Sequence, residues 1–76
     1  MEKELYKTIS DVWLLIKKYI PKATSNDEVV WDMLWRDSNE IYDSTRNKPD
    51  YYREMTSKFI RGALDLLEGI RKEANQ

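Results

Sequence analysis

Apolar residues recur at every third or fourth position in three separate stretches of the chain, which is the spacing of amphipathic helices. These stretches cover residues 2–20, 26–46 and 50–73. No stretch alternates apolar and polar residues for long enough to predict a strand. We therefore expect an all-α fold in which residues 1–76 form one domain, an antiparallel three-helix bundle.

The first helix is expected to carry an apolar arc over about half of its circumference. Its members are Leu5, Tyr6, Ile9, Val12, Trp13, Leu15, Ile16, Tyr19 and Ile20. An arc this wide indicates a helix that contacts two neighbours. Pro21 should end the helix, because proline lacks the N–H that the next hydrogen bond needs.

The second helix has the clearest predicted start. Ser25 is followed three residues later by Glu28, a spacing typical of a capping box in which each side chain bonds the other residue's backbone N–H. The apolar stripe that follows consists of Val30, Trp31, Leu34, Ser38, Ile41, Tyr42 and Thr45. A helix this short is marginal alone, so we expect the stripe to pack against the other two helices.

The third helix should begin at Pro49 or Asp50, after a short turn. Its predicted stripe consists of Tyr52, Met55, Phe59, Ala63, Leu66, Leu67 and Ile70. Gly62 and Gly69 lie seven residues apart on one flank. Each glycine costs roughly 0.8–1 kcal/mol relative to alanine inside a helix, so the flank raises the question of what lies against it.

The composition argues against an enzyme. The chain has neither cysteine nor histidine, so it lacks the commonest general base and every thiol nucleophile. No glycine-rich phosphate loop or nucleophile elbow is present. We predict no catalytic residues and no cofactor.

The acidic side chains of the second helix are a candidate metal site, since Asp37, Glu40 and Ser44 lie on adjacent turns. Oxygen ligands on one exposed helix face point outward and do not surround a hard cation without help from elsewhere. We interpret these residues as a solvated acidic face and predict no metal ligands.

The charge is spread unevenly, with a net of +2 over residues 1–22, −4 over 23–47 and +1 over 48–76. Basic residues of the third helix alternate with acidic ones, whereas phosphate binding needs an uncompensated basic patch. This argues against a nucleic-acid partner. A small helical DNA-binding regulator stays the alternative, because three helices in fewer than eighty residues is a common size for one.

Two groups of residues are candidates for partner binding. The first is apolar or aromatic and lies at the edges of the stripes: Ile60, Leu64, Leu67, Trp35 and Tyr42. Ile60 and Leu64 either cap the seam between helices or, with Leu67, form a homodimer contact, and Trp35 and Tyr42 are either core rim or interface anchors. The second group, Asp32, Asp37 and Glu40, would dock on a basic protein.

The longest apolar run, Val12 to Ile16, is too short to span a bilayer, and the first residues lack the order of a signal peptide. We expect a cytoplasmic protein with no membrane partner.

The stretch from Trp31 to Ile70 contains Trp-Asp-Met-Leu-Trp, Glu-Ile-Tyr, Tyr-Tyr and Phe-Ile-Arg-Gly-Ala-Leu-Asp-Leu-Leu-Glu. It resembles small uncharacterised helical proteins of Gram-positive prophages and mobile elements. The resemblance covers about half of the chain and implies an origin in such an element, without an activity. The sequence thus favours a non-enzymatic protein-interaction module that covers a surface of its partner.

Overall fold

The computed structural model describes residues 1–75, and these residues fold into three α-helices. They are α1 (Glu2–Tyr19), α2 (Glu28–Asp43) and α3 (Asp50–Ala74). One 3₁₀ turn, Ile20–Lys22, carries Pro21 and follows α1 directly. Within these residues there is no strand. The predicted all-α three-helix bundle is confirmed.

Contacts at the helix ends define the topology. Thr8 near the start of α1 contacts Tyr52 near the start of α3, so α1 and α3 run in the same direction. Asn26, just before α2, contacts Asn75, just after α3, so α2 runs opposite to both. The result is an up-down-up bundle with dimensions of 41 × 18 × 17 Å.

The core lies along the line where the three helices meet. Leu15 and Tyr19 of α1, Leu34 of α2 and Leu67 of α3 form one cluster, joined by Ala23 after the 3₁₀ turn. A second cluster, nearer the start of α1, consists of Val12, Ile60 and Ala63. The predicted stripe of α2 is correct, since each member is buried or half-buried.

The predicted capping box is wrong, because α2 begins later than expected. Asp27 is the N-cap, and its carboxylate accepts a hydrogen bond from the backbone N–H of Val29 at 3.0 Å. The Ser25 hydroxyl accepts instead from the N–H of Asp27. The Ser25 carbonyl accepts from the Trp31 indole at 2.9 Å, which engages Ser25 outside the helix.

The apolar arc of α1 is only partly buried. Six large apolar side chains that the sequence assigned to the stripes of α1 and α3 are exposed: Tyr6, Ile9, Trp13, Ile20, Phe59 and Leu66. Ile9 and Trp13 line one depression with Phe59 and Gly62, and helical spacing places the others on the same side. We call these six residues the α1–α3 face, and it lies on the side of the bundle away from α2.

A buried polar contact joins α1 to α3. The Tyr52 hydroxyl donates to the carbonyl of Glu4 at 2.8 Å and lies 2.6 Å from the hydroxyl of Thr8. Both Thr8 and Tyr52 are buried. Since the Tyr52 proton is committed to the Glu4 carbonyl, the Thr8 hydroxyl donates to Tyr52. This contact satisfies polar groups that burial would otherwise leave unpaired.

Tyr52→Phe should lower the free energy of unfolding by about 1–3 kcal/mol, because it leaves buried polar atoms on α1 without their partner. Thr8→Val combined with Tyr52→Phe should cost less than the sum of the two single changes, since both hydroxyls are then gone. Urea denaturation measures all three. Strictly additive losses would contradict the assigned contact.

Candidate protein-binding surface

A groove about 410 Å³ in volume runs between α2 and α3. We call it the α2–α3 groove. Its lining combines apolar and aromatic side chains with polar and charged ones, namely Trp35, Ser38, Asn39, Tyr42, Ser57, Ile60, Arg61, Leu64, Asp65 and Glu68. The structure therefore brings together four of the predicted partner-binding residues, Trp35, Tyr42, Ile60 and Leu64, from two helices.

The two tryptophans of α2 differ in role. The Trp31 indole donates to a backbone carbonyl, and the Arg71 guanidinium lies 4.6 Å from its ring centroid. Trp31 is thus engaged inside the bundle. Trp35 is 61% exposed at the mouth of the α2–α3 groove. Tryptophan is among the residues most enriched at interface centres, so Trp35 is a candidate anchor of this surface.

Tyr42 contributes less to the exposed surface than the sequence suggested. It is half-buried, and the Arg53 guanidinium lies 4.8 Å from its ring centroid. This cation–π contact occupies one face of the ring. Tyr42 therefore forms the wall of the groove, and the interpretation as core rim fits it better than that of an anchor.

The proposed homodimer edge of α3 needs correction. Ile60 is 7% exposed and Leu67 is fully buried, so both belong to the core and cannot reach a partner. The reason is that α3 turns these two residues toward α1 and α2, while Phe59 and Leu66 point outward. Leu64 is half-buried and packs against the core from the floor of the groove.

The three acidic candidates line two different depressions. Asp32 lies beside Trp35 in a depression next to the α2–α3 groove. Asp37 and Glu40 lie in a depression between α1 and α2. By helical spacing, Glu40 lies about 80° and Asp37 about 140° around the helix from Asp32. Asp37 is thus set apart from Asp32, and docking of these residues on a basic protein stays a prediction.

Asp37 is neutralised within the chain. One of its oxygens accepts from the Lys18 ammonium at 2.8 Å and from the Tyr19 hydroxyl at 2.6 Å. The pKa of the Asp37 carboxyl lies below its ordinary value. The hydrogen bond from Lys18 is the largest cause, and the hydrogen bond from Tyr19 is the next. The pKa of the Tyr19 hydroxyl is raised, mainly because the group is partly buried and secondly because it bonds to Asp37. Asp37 thus ties α2 to the end of α1.

Charged residues surround Trp35 on the groove side. Asp32 and Glu68 line the depression on one side of it, and Arg61, Asp65 and Glu68 line the groove on the other. Sequence reasoning did not select Arg61, Asp65 or Glu68. Arg61 and Glu68 lie three residues before and four residues after Leu64, and Asp65 lies four residues after Arg61. This spacing is the signal that would have found them, once Leu64 was placed at a groove. The surroundings of Trp35 are acidic on balance.

No three acidic side chains within residues 1–75 come together as a cluster that could hold a metal ion. No helix in the same part of the chain is long and apolar enough to cross a membrane. Comparisons of the chain with protein-family models, curated proteins and solved structures find no significant match.

Asp37→Asn should destabilise the protein at pH 7 but not in acid. A carboxyl whose pKa is lowered by folding stabilises the native state above its unfolded value, about 3.9, and stops doing so as the pH falls through the folded value. The stability difference between the two proteins should therefore shrink below about pH 4.

Urea denaturation at a series of pH values measures this difference. Asp32→Asn is the matched control, since Asp32 is an exposed carboxylate of the same helix, and it should change stability little at any pH. A constant difference between wild type and Asp37→Asn down to strongly acidic pH would contradict the assigned role.

Proposed function

We propose that this chain is a non-catalytic protein-interaction module that binds another protein through the α2–α3 groove and covers part of its surface. The observation that carries the proposal is Trp35, a large aromatic side chain 61% exposed at the mouth of the groove. Interface hot spots combine such an anchor with an apolar pocket and a polar rim. Leu64 and Tyr42 supply the pocket, and Asn39 and Arg61 belong to the rim.

The charges define the chemistry of the partner. Asp32, Asp65 and Glu68 surround Trp35, and Arg71 on the same side is engaged with the Trp31 ring. A complementary partner segment carries an apolar side chain that packs on Trp35 and basic side chains beside it. We therefore keep the prediction of a basic partner and propose that it docks at Trp35, because Asp37 is already bonded to Lys18 and Tyr19.

Trp35→Ala should weaken partner binding by about 2 kcal/mol or more, which is roughly thirtyfold in Kd. Trp13→Ala is the matched control, because Trp13 is 57% exposed but lies on the α1–α3 face. The tagged chain would retain its partner from an extract of a Gram-positive bacterium, the source that the prophage resemblance suggests. Calorimetry with the purified partner would then measure the affinity of each variant.

The affinity should also fall as salt rises, and Glu68→Lys should weaken it, because the rim attracts a basic segment. Equal affinity of wild type and Trp35→Ala for the purified partner would contradict the proposal. So would binding that is insensitive both to salt and to Glu68→Lys.

The alternative, a DNA-binding regulator, has less support from the arrangement of the basic residues. Lys7, Lys18 and Lys48 are paired with carboxylates, and Arg53 and Arg71 lie over aromatic rings. Phosphate binding requires cations that release counterions from the DNA. We expect no retention of duplex DNA in a low-salt gel shift, and retention that weakens steeply with salt would favour the alternative.

A further inference from the structure

The α1–α3 face is an apolar surface that the α2–α3 groove does not use. Its six members range from 40% exposed for Phe59 to 75% exposed for Tyr6. The lining of its central depression is nearly all apolar and includes Trp13, Ile16 and Gly62. From the geometry of this face we propose that it binds a second copy of the same chain, which gives a two-fold symmetric dimer.

The area of the face suits a dimer. With about 200 Å² for a fully exposed large side chain, the six members expose roughly 600 Å² per copy. This lies at the upper end of the roughly 300–600 Å² that is typical of the largest apolar patch on a monomer, and such patches are often functional. Stable complexes bury about 800 Å² per partner. The half-buried Ile16 and Met55, together with the polar rim of the face, would supply the remaining area.

The shape of the face is self-complementary. Trp13 and Ile20 project from the α1 side seven residues apart, and Gly62 and Gly69 lie seven residues apart on α3. A Cβ atom added at either glycine would meet nothing within 4 Å, so the surface above them is open. Because α1 and α3 are parallel, a two-fold axis along the bundle places α1 of each copy over α3 of the other. Trp13 then meets Gly62, and Ile20 meets Gly69.

The charges beside the face also match in this arrangement. Lys17 follows Ile16 directly and lies at about the height of Asp65, which is three residues beyond Gly62. By helical spacing, Lys3 lies on the same flank of α1 as Lys17, and Glu54 lies on the same flank of α3 as Asp65. All four side chains are exposed. In the two-fold dimer, the lysines that flank α1 of one copy face the carboxylates that flank α3 of the other. An isologous interface must match itself in this way.

Sedimentation velocity from micromolar to millimolar concentration tests the proposal, which does not depend on the role of the α2–α3 groove. We expect a reversible monomer–dimer equilibrium. Trp13→Glu should raise the dimer Kd by roughly thirtyfold or more, the effect of losing a central aromatic anchor. Trp35→Glu is the matched control, because Trp35 is similarly exposed on another surface, and it should leave the dimer unchanged.

Gly62→Leu provides an independent variant that should still fold, since the monomer has open space at this position. It should abolish the dimer while circular dichroism shows an unchanged helical spectrum. A wild-type chain that stays monomeric at millimolar concentration would overturn the proposal, and a Trp13-dependent complex with a different protein would then assign the face to that protein. A Gly62→Leu variant that dimerises as tightly as wild type would also overturn it.

Discussion

The structure depends on one geometric constraint: each helix of a three-helix bundle can bury only the strip that faces its two neighbours. In α2 the predicted stripe matches this strip, and Leu34 and Ser38 are buried along it. In α1 and α3 the apolar residues extend further around the helix than the neighbours reach. The core closes over Leu15, Tyr19 and Leu67, and six of the remaining apolar residues form the α1–α3 face. Both proposed functions of the chain use the residues that the core does not cover.

Polar contacts at the two ends of the bundle complement this core. At one end, the Tyr52 hydroxyl joins the Thr8 hydroxyl and the Glu4 carbonyl, and Lys48 pairs with Glu4 at 3.1 Å. At the other end, the Asn75 side chain bonds the Thr24 carbonyl and the Asn26 amide. Hydrophobic burial has little directional preference, whereas these hydrogen bonds require particular atoms to meet. They therefore favour one register of α1 against α3, and this register sets Trp13 opposite Phe59 and Gly62.

Periodicity was enough to predict three helices, their approximate ends and the buried side of α2. It was not enough to orient α1 and α3 about their own axes. Phe59 and Ile60 are adjacent, as are Leu66 and Leu67, and either member of each pair fits an apolar stripe because one residue is only a 100° rotation. The choice depends on the positions of the other helices, which sequence spacing does not contain. The predicted N-cap of α2 was wrong for a related reason. The Trp31 indole donates to the Ser25 carbonyl and holds Ser25 outside the helix. The sequence also does not show that Asp37 is paired, because Lys18 and Tyr19 lie on another helix and reach it only in the folded bundle.

The three tryptophans report separately on the α1–α3 face, the interior of the bundle and the α2–α3 groove. Trp13 lies on the α1–α3 face, Trp31 is engaged with Arg71 and Ser25, and Trp35 lies at the mouth of the α2–α3 groove. Fluorine NMR of the chain labelled with 5-fluorotryptophan, recorded across a dilution series, measures the surroundings of all three at once. We expect the Trp13 resonance to shift with protein concentration while those of Trp31 and Trp35 stay constant. A Trp13 resonance that does not change with concentration, or a Trp35 resonance that does, would contradict the assignment of these surfaces.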